Sequence, residues 1–473
     1  LDQSLTTLDE PPAPSPAARG SAAPTGDQAY EHRNIRQGEF WRAIPKYRDV
    51  DVATFLDHLW QAQHSIKTPL ELLETIKDLV PAEFYADADE GFRRAPMAVR
   101  VSPYIIASID WTQPYDDPIR TQFIPLRSRM LPDHPRLTLD SLHERDDAPV
   151  PGLVHRYKDR ALFLPVSVCP VYCRFCTRSY AVGLDTQTVD KAPLATTPKA
   201  WQEAFDYIAS HPEIEDVVIS GGDAYQLAAK SISLIGEALL AIPHVRRLRY
   251  ATKGLAVMPS KILTDHAWVD ALTRVVDHGR RIGKTVVIHT HFNHPSEVSW
   301  ITEKAVRRLI ERGVTIRNQS VLIRNVNDDP ATMALLVKRL GWLGIAPYYV
   351  YTHDLVKGVE DLRTTLQTAI DIEKSIRGIT SGFHTPTFVC DAPGGGGKRD
   401  VHSYEYYDRE NGIAVYTSPS VKPERSFLYF DPIDLLGPAA QERWRSPRLQ
   451  GEMIADALAK AKLGRREGVL SAS

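Results

Sequence analysis

Three of the chain's four cysteines, Cys169, Cys173 and Cys176, fall in the stretch VCPVYCRFCTRSY at spacing C-x3-C-x2-C. A closed zinc site or a fully ligated iron–sulfur cluster takes four protein ligands, so three thiolates leave one position of a bound centre open for chemistry. A packed core is the plainer reading of any single cysteine. Three of four so close together instead form a ligand pattern. A second reactive feature lies downstream in FVCDAPGGGGKRD, where four glycines, Gly394 to Gly397, precede Lys398. The glycine run alone reads as a linker, but a lysine on a mobile glycine strap can also reach a cofactor aldehyde and form a Schiff base. Cys390, beside Val389 and remote from the triplet, reads as a packed thiol.

Further polar residues recur where strands are expected to end. The turn Ser220, Gly221, Gly222, Asp223 offers close backbone approach and a carboxylate able to receive an ammonium group, although Gly-Gly-Asp alone is more often a simple turn. His291 in HTHFN, Gln319 in RNQS, and Tyr351 and Asp354 in YYVYTHD could converge on one mouth. Each taken singly has a structural reading in the core or at the rim.

The elements that must position these residues follow from periodicity. ALFLPVSV, DVVISG, RRLRYAT, TVVIHTHF, TIRNQSVLI and APYYVYT read as strands, alternating with helical segments such as KAWQEAFDYIASH and DALTRVVDHGRR. Six βα units in a row predict an α/β fold, either a partial (β/α)6 TIM-like barrel or an open doubly wound sheet, with chemistry at the C-terminal strand edge. The sequence divides into a Pro/Ala/Ser-rich tail expected to be disordered (1–28), an N-terminal helical region with an irregular connection (29–145), the barrel (146–395), and the lysine strap with a C-terminal extension (396–473). In the helical region Phe55, Leu59 and Ile66 fall near helical spacing, and Thr68–Pro69 reads as an N-cap. DDPIRTQFIP and DDAPVPGLVHRYKDR read as irregular.

Composition narrows the partners. A formal net charge of -2 carries no electrostatic footprint for nucleic acid. No apolar run approaches the roughly 20 residues that span a bilayer, and no signal-peptide pattern is seen, so a reducing, cytoplasmic setting is expected.

The cysteine triplet resembles the radical S-adenosylmethionine (SAM) superfamily. PVPGLVHRYKDRALFL, VYCRFCTRSY, ISGGD, THFN, NQSVLI, PYYVY and DAPGGGGK together resemble the lysine 2,3-aminomutase family from about Asp117 to Lys398. The resemblance implies that Cys169, Cys173 and Cys176 hold a [4Fe-4S] cluster whose fourth iron is chelated by SAM. It implies that Ser220 to Asp223, His291 and Gln319 contact SAM, and that Lys398 carries pyridoxal phosphate (PLP), with Arg156 and Arg160 near its phosphate and Tyr351 also at the cofactors. Arg178 matches the residue that holds the substrate's α-carboxylate, and Asp354 and Asp391 match the pair that binds the distal ammonium of lysine. The implied reaction is radical 1,2-migration of the α-amino group, converting L-lysine to L-β-lysine. The implied partners are a small basic amino acid, an electron donor such as flavodoxin or ferredoxin, and further copies of the chain in a homo-oligomer.

Departures leave substrate choice open. No cysteine follows Cys390, so the structural zinc of the best-known members is not expected. The arginines that commonly follow the carboxylate-binding one are here Ser179 and Tyr180, and His353 precedes Asp354. Arginine is the alternative substrate, because two carboxylates accept a guanidinium as readily as an ammonium. A PLP-independent radical SAM enzyme that modifies protein or RNA is the alternative in another reaction class.

Overall fold

The computed structural model describes residues 31–194 and 196–470, with side chains through Lys462. The tail expected at 1–28 lies outside them. Nine strands form one sheet in sequence order: β1 Leu153–Tyr157, β2 Arg160–Phe163, β3 Asp216–Ile219, β4 Arg247–Ala251, β5 Thr285–Thr290, β6 Thr315–Val321, β7 Ala346–Tyr351, β8 Thr387–Ala392 and β9 Gly397–Asp400. Neighbours from β2 through β8 pair in parallel. β1 and β9 add antiparallel edges. The sheet curls into a nearly closed, TIM-like barrel.

Strands β2 to β7 are the six expected from sequence, and β8 extends the parallel run. A helix follows each of those six: Pro198–Ser210, Ala229–Ala241, His266–Arg281, Trp300–Glu311, Pro330–Trp342 and Leu366–Ile376. Several of these helices start where the sequence supplies a cap, as where Thr197 accepts from the Ala200 N–H and Asp329 from Thr332. The two-residue period of a strand sorts its side chains. On β4, Leu248 and Tyr250 are fully buried outward, where Tyr250 Oη donates to the Ile232 carbonyl of a covering helix. Arg249 and Ala251 point the other way and line the interior cavity. Burying each large apolar side chain of that outer layer contributes about 1.5–3 kcal/mol.

The first barrel strand is shorter than ALFLPVSV suggests. It stops at Phe163, and residues 164–168 run on as an irregular segment before Cys169. Pro165 has no N–H for a ladder. The segment is held instead through its carbonyls, with Ser220, Gly222 and Asp223 N–H groups donating to Phe163, Val166 and Val168.

Three other regions differ from the sequence reading. VDVATFLDHLWQAQHSI forms two short helices, Val52–Leu56 and His58–Gln63, because Asp57 leaves the helix and caps the second one. Leu59 is consequently exposed, while Phe55 and Ile66 are buried. DDPIRTQFIP is helical over Pro118–Phe123, with the Asp117 carboxylate accepting from the Arg120 N–H. The segment read as irregular before the barrel contains β1. Residues after β9 form a separate antiparallel sheet, β10 Tyr406–Asp408, β11 Ile413–Ser418 and β12 Lys422–Phe430, followed by the helices Pro438–Arg445 and Pro447–Leu470. Because Lys398 pairs with Asp391 within the main sheet, a boundary at 395/396 cuts the β8–β9 hairpin.

Candidate active site

All of the sequence-derived site residues line one cavity of about 510 Å³ at the barrel interior: Cys169, Cys173, Cys176, Arg156, Arg160, Arg178, Ser220, Gly221, Gly222, Asp223, His291, Gln319, Tyr351, Asp354, Asp391 and Lys398. They come from β1, β2, β6, β7, β8 and β9 and from the loops that follow β2, β3, β5 and β7. Cys390, by contrast, is buried outside this lining.

The cysteines occupy a short loop packed on the Ser220–Asp223 turn. Gly221 has φ +96°, and a Cβ there would sit 2.1 Å from the Val166 carbonyl oxygen; a Cβ on Gly222 would sit 2.4 Å from that of Val168. These glycines therefore serve close contact between two loops, independently of any ligand. Burial raises all three thiol pKa values, and at Cys169 and Cys173 the charges of neighbouring thiols push in the same direction. Three thiols on one short loop, all lining the cavity despite that cost, fit a metal cluster whose positive charge would stabilise the thiolates and which would keep one iron without a protein ligand.

Asp223 is more committed than its sequence suggests. Its two carboxylate oxygens accept the Tyr225 and Lys253 N–H groups, each at 2.8 Å. It ties the β3 and β4 loops together. Lys253, not singled out by the sequence, donates to Glu297 Oε1 at 2.7 Å and to the His291 carbonyl at 2.8 Å. His291 stacks on Phe175 with ring centroids 5.6 Å apart, and burial, helped by Lys253, keeps its imidazole neutral. Gln319 is oriented from both ends: Tyr351 Oη donates to its Oε1 at 2.9 Å, and its Nε2 lies 2.7 Å from His289 Nδ1. His289 is a neutral imidazole, its pKa lowered to about 3 first by burial and then by Arg249 and Arg317.

Lys398 sits at the start of β9, opposite Asp391 on β8. The four glycines are a tight turn of this hairpin, where a mobile strap was expected. Gly394, Gly395 and Gly397 adopt φ of +81°, +86° and +75°, and a Cβ on Gly397 would sit 2.7 Å from Tyr157 Oη. Tyr157 accepts the Lys398 backbone N–H at 2.7 Å. The Lys398 Nζ donates to Asp391 Oδ2 at 3.1 Å and lies 5.5 Å from the Tyr351 ring. Burial is the largest single influence and opposes its charge, but Asp391, Tyr157 and Tyr351 together outweigh burial and hold the ammonium well above its ordinary pKa.

The arginines divide by availability. Arg156 donates Nε to Asp147 at 2.7 Å and Nη2 to the Leu142 carbonyl, and its Nη1 lies 4.0 Å from Asp391 Oδ1. Its fork is largely spent on protein partners. Arg160 is partly exposed, stacks on Tyr157 at 4.1 Å and pairs only loosely with Asp159, its Nε 3.6 Å from Oδ1, so it can turn its donors to an anion. Arg178 donates to both oxygens of Glu144, a cavity residue that the sequence reading passed over. Asp354 accepts from Thr177 Oγ1 at 2.5 Å; burial first and Asp391 second raise its pKa to about 7. Asp391 Oδ1 is buried without a hydrogen-bond partner among the described residues.

A family model described as "Lysine-2,3-aminomutase" matches residues 372–406, which span the end of the last barrel helix, β8, the glycine turn and Lys398. The chain is 38% identical over 362 residues to "L-lysine 2,3-aminomutase" of Clostridium subterminale, covering 76% of this chain and 81% of that protein. The chain belongs to the lysine 2,3-aminomutase family. It is therefore an isomerase, an aminomutase. The Fusobacterium nucleatum subsp. nucleatum "L-lysine 2,3-aminomutase" is 37% identical, covering 77% of this chain and 82% of the relative. A "Glutamate 2,3-aminomutase" of Clostridioides difficile is 32% identical, covering 72% and 75% respectively, so relatives of this aminomutase differ in substrate. No helix among the described residues is long and apolar enough to cross a membrane.

Proposed function

We propose that this aminomutase is PLP-dependent and converts L-lysine to L-β-lysine. The observation that carries the reading is the pair Asp354 and Asp391. Asp391 is buried and Asp354 half-buried in the cavity wall; among the described residues Asp391 Oδ1 lacks a hydrogen-bond partner, with Arg156 Nη1 no nearer than 4.0 Å, and Asp354 has its pKa raised to about 7. Two carboxyl groups in that state call for a cation brought by the substrate. Glutamate would add a third negative charge. Arginine remains the second reading, since a guanidinium also satisfies an unpartnered carboxylate oxygen.

In this reading Cys169, Cys173 and Cys176 hold a [4Fe-4S] cluster, and the Ser220–Asp223 turn, His291 and Gln319 hold SAM. Lys398 links PLP, with Arg160 at its phosphate and Arg156 acting through Asp147 and Asp391. When bound, the cluster with SAM supplies a hydrogen-abstracting radical, and PLP supplies a ring that delocalises an unpaired electron during the amino shift. The chain's own residues bind and orient. Arg178 holds the α-carboxylate, Asp354 and Asp391 fix the distal cation, and together they pin both ends of an extended amino acid. The Tyr157 and Tyr351 rings flank the Lys398 ammonium, their centroids 5.7 and 5.5 Å from Nζ. A one-electron reductant of the flavodoxin or ferredoxin class is the expected partner.

The test is anaerobic incubation with SAM, PLP and a reductant against lysine, arginine, glutamate and alanine, followed by chiral identification of β-amino products. β-Lysine as the dominant product supports the reading. Dominant β-glutamate, or turnover unaffected by omitting PLP from the reconstituted protein, refutes it.

A further inference from the structure

Arg178 carries more structure than a carboxylate-binding arginine needs, and the inference here rests on that proposed role. Its Nε donates to Glu144 Oε2 at 2.8 Å and its Nη2 to Glu144 Oε1 at 2.7 Å. Tyr180 Oη donates to the same Oε2 at 3.1 Å. Glu144 is only 4% exposed, and its backbone N–H is held by Asp140 Oδ1 at 3.0 Å. This pairing occupies one lateral edge of the planar guanidinium. The terminal edge, Nη1 and the second Nη2 proton, is left over, and Nη1 makes no hydrogen bond among the described residues.

A guanidinium on a flexible stem has many orientations, and a bidentate carboxylate removes most of them by fixing the plane. We infer that Glu144, locked by Tyr180, is a positioning residue that orients Arg178 so that its terminal edge meets the α-carboxylate of the amino acid. Tyr180 supports this role as a neutral donor: it restrains Glu144 without adding a second cation that would compete for the same carboxylate. Glu144 also offsets the Arg178 charge, so this half-buried cation has a partner of its own apart from substrate. The clamp makes carboxylate recognition depend on a residue that does not itself touch substrate.

The experiment measures equilibrium binding of L-lysine and L-lysinamide by calorimetry. It uses protein reconstituted anaerobically with cluster, SAM and PLP but without reductant, so that no turnover occurs. The ratio of the two affinities isolates the carboxylate. In Glu144→Gln the preference for lysine should fall at least about tenfold, with lysinamide affinity changed by less than about twofold. Tyr180→Phe, which leaves the ion pair, should lower the preference by about threefold. An unchanged ratio in both variants, equal weakening of both ligands, or tighter lysine binding in Glu144→Gln would overturn the inference; the last would make Glu144 a competitor for Arg178. Arg178→Met separates the two levels. If it leaves the ratio intact, or if the unmodified protein binds neither ligand, the carboxylate assignment itself fails. If only Arg178→Met collapses the ratio, the fault lies with the role given to Glu144.

Discussion

Lys398 and Asp391 face each other across the antiparallel β8–β9 ladder, with Nζ donating to Oδ2 at 3.1 Å. Their register is set by the glycine turn between them, where three residues hold positive φ and Gly397 lies against Tyr157. Gly397→Val should therefore lift the hairpin from Tyr157, lower stability by roughly 1–3 kcal/mol and weaken PLP attachment. Thermal melting together with the absorbance of lysine-bound PLP checks both effects. Unaltered PLP content would mean that the turn does not set the lysine's position.

Lys398→Ala should remove the covalent PLP linkage while iron and sulfide content stay at the level of the unmodified protein. Lys253 is the other lysine lining the cavity, but it is held in a buried pair with Glu297. Persistence of a reducible PLP–protein adduct in Lys398→Ala would transfer the role to a different lysine.

Replacing any one of Cys169, Cys173 or Cys176 with Ala should abolish reductive cleavage of SAM, because two thiolates cannot retain the cluster in a reactive form. Cys390→Ala, altering a thiol buried outside the cavity, should keep cleavage intact at a packing cost of about 1 kcal/mol. Iron analysis and detection of 5'-deoxyadenosine decide the matter; near-normal iron and cleavage in Cys173→Ala would remove it from the ligand set.

The barrel was legible because six strand–helix repeats carry their period in the sequence, and the site was legible because strand ends deliver it to one edge. What stayed hidden has specific physical causes. Strand β1 lies in a Pro-rich segment whose short apolar run resembles a connection. Glu144 sits in a loop with no periodicity, and only its buried pairing with Arg178 marks it. Lys253 and Asp223 looked like independent polar residues, yet they join through a backbone hydrogen bond between two loops. The glycine run looked mobile because glycine is entropically free in isolation, whereas here positive φ and contacts with Tyr157 and Phe427 use that freedom for one conformation.

Asp354 predicts a pH dependence whose sign can be worked out. Its pKa rises from 3.8 to about 7, through burial first and then the neighbouring Asp391. A cationic side chain binds the ionised carboxylate, so below pH 7 a proton must leave before the substrate is held. Affinity for lysine should fall up to about tenfold per pH unit below 7 and level off above it. Calorimetry in buffers of different ionisation enthalpy should register proton release near neutral pH. Asp354→Asn should abolish that release, and its survival in the variant would place the titrating group elsewhere.

Substrate choice is the sharpest consequence of the two carboxylates. Lys398 partly answers Asp391, but among the described residues Oδ1 of Asp391 has no hydrogen-bond partner, with Arg156 Nη1 at 4.0 Å, and Asp354 accepts from Thr177 and forms no ion pair. In the proposed reading Lys398 is engaged with the cofactor, and the amino acid must then supply the missing charge. Breaking one side of a buried charge pair costs about 3–5 kcal/mol, which corresponds to a loss of two to four orders of magnitude in kcat/KM. Asp354→Asn and Asp391→Asn should each lose that much with lysine while keeping iron and PLP content. Both variants should gain relative tolerance for uncharged side chains, since the neutral amide no longer requires a cation. Steady-state kinetics with lysine and norleucine separate this from a general loss of activity. A parallel fall for both substrates would make the aspartates structural, and full lysine activity in both variants would place the distal cation in another part of the cavity.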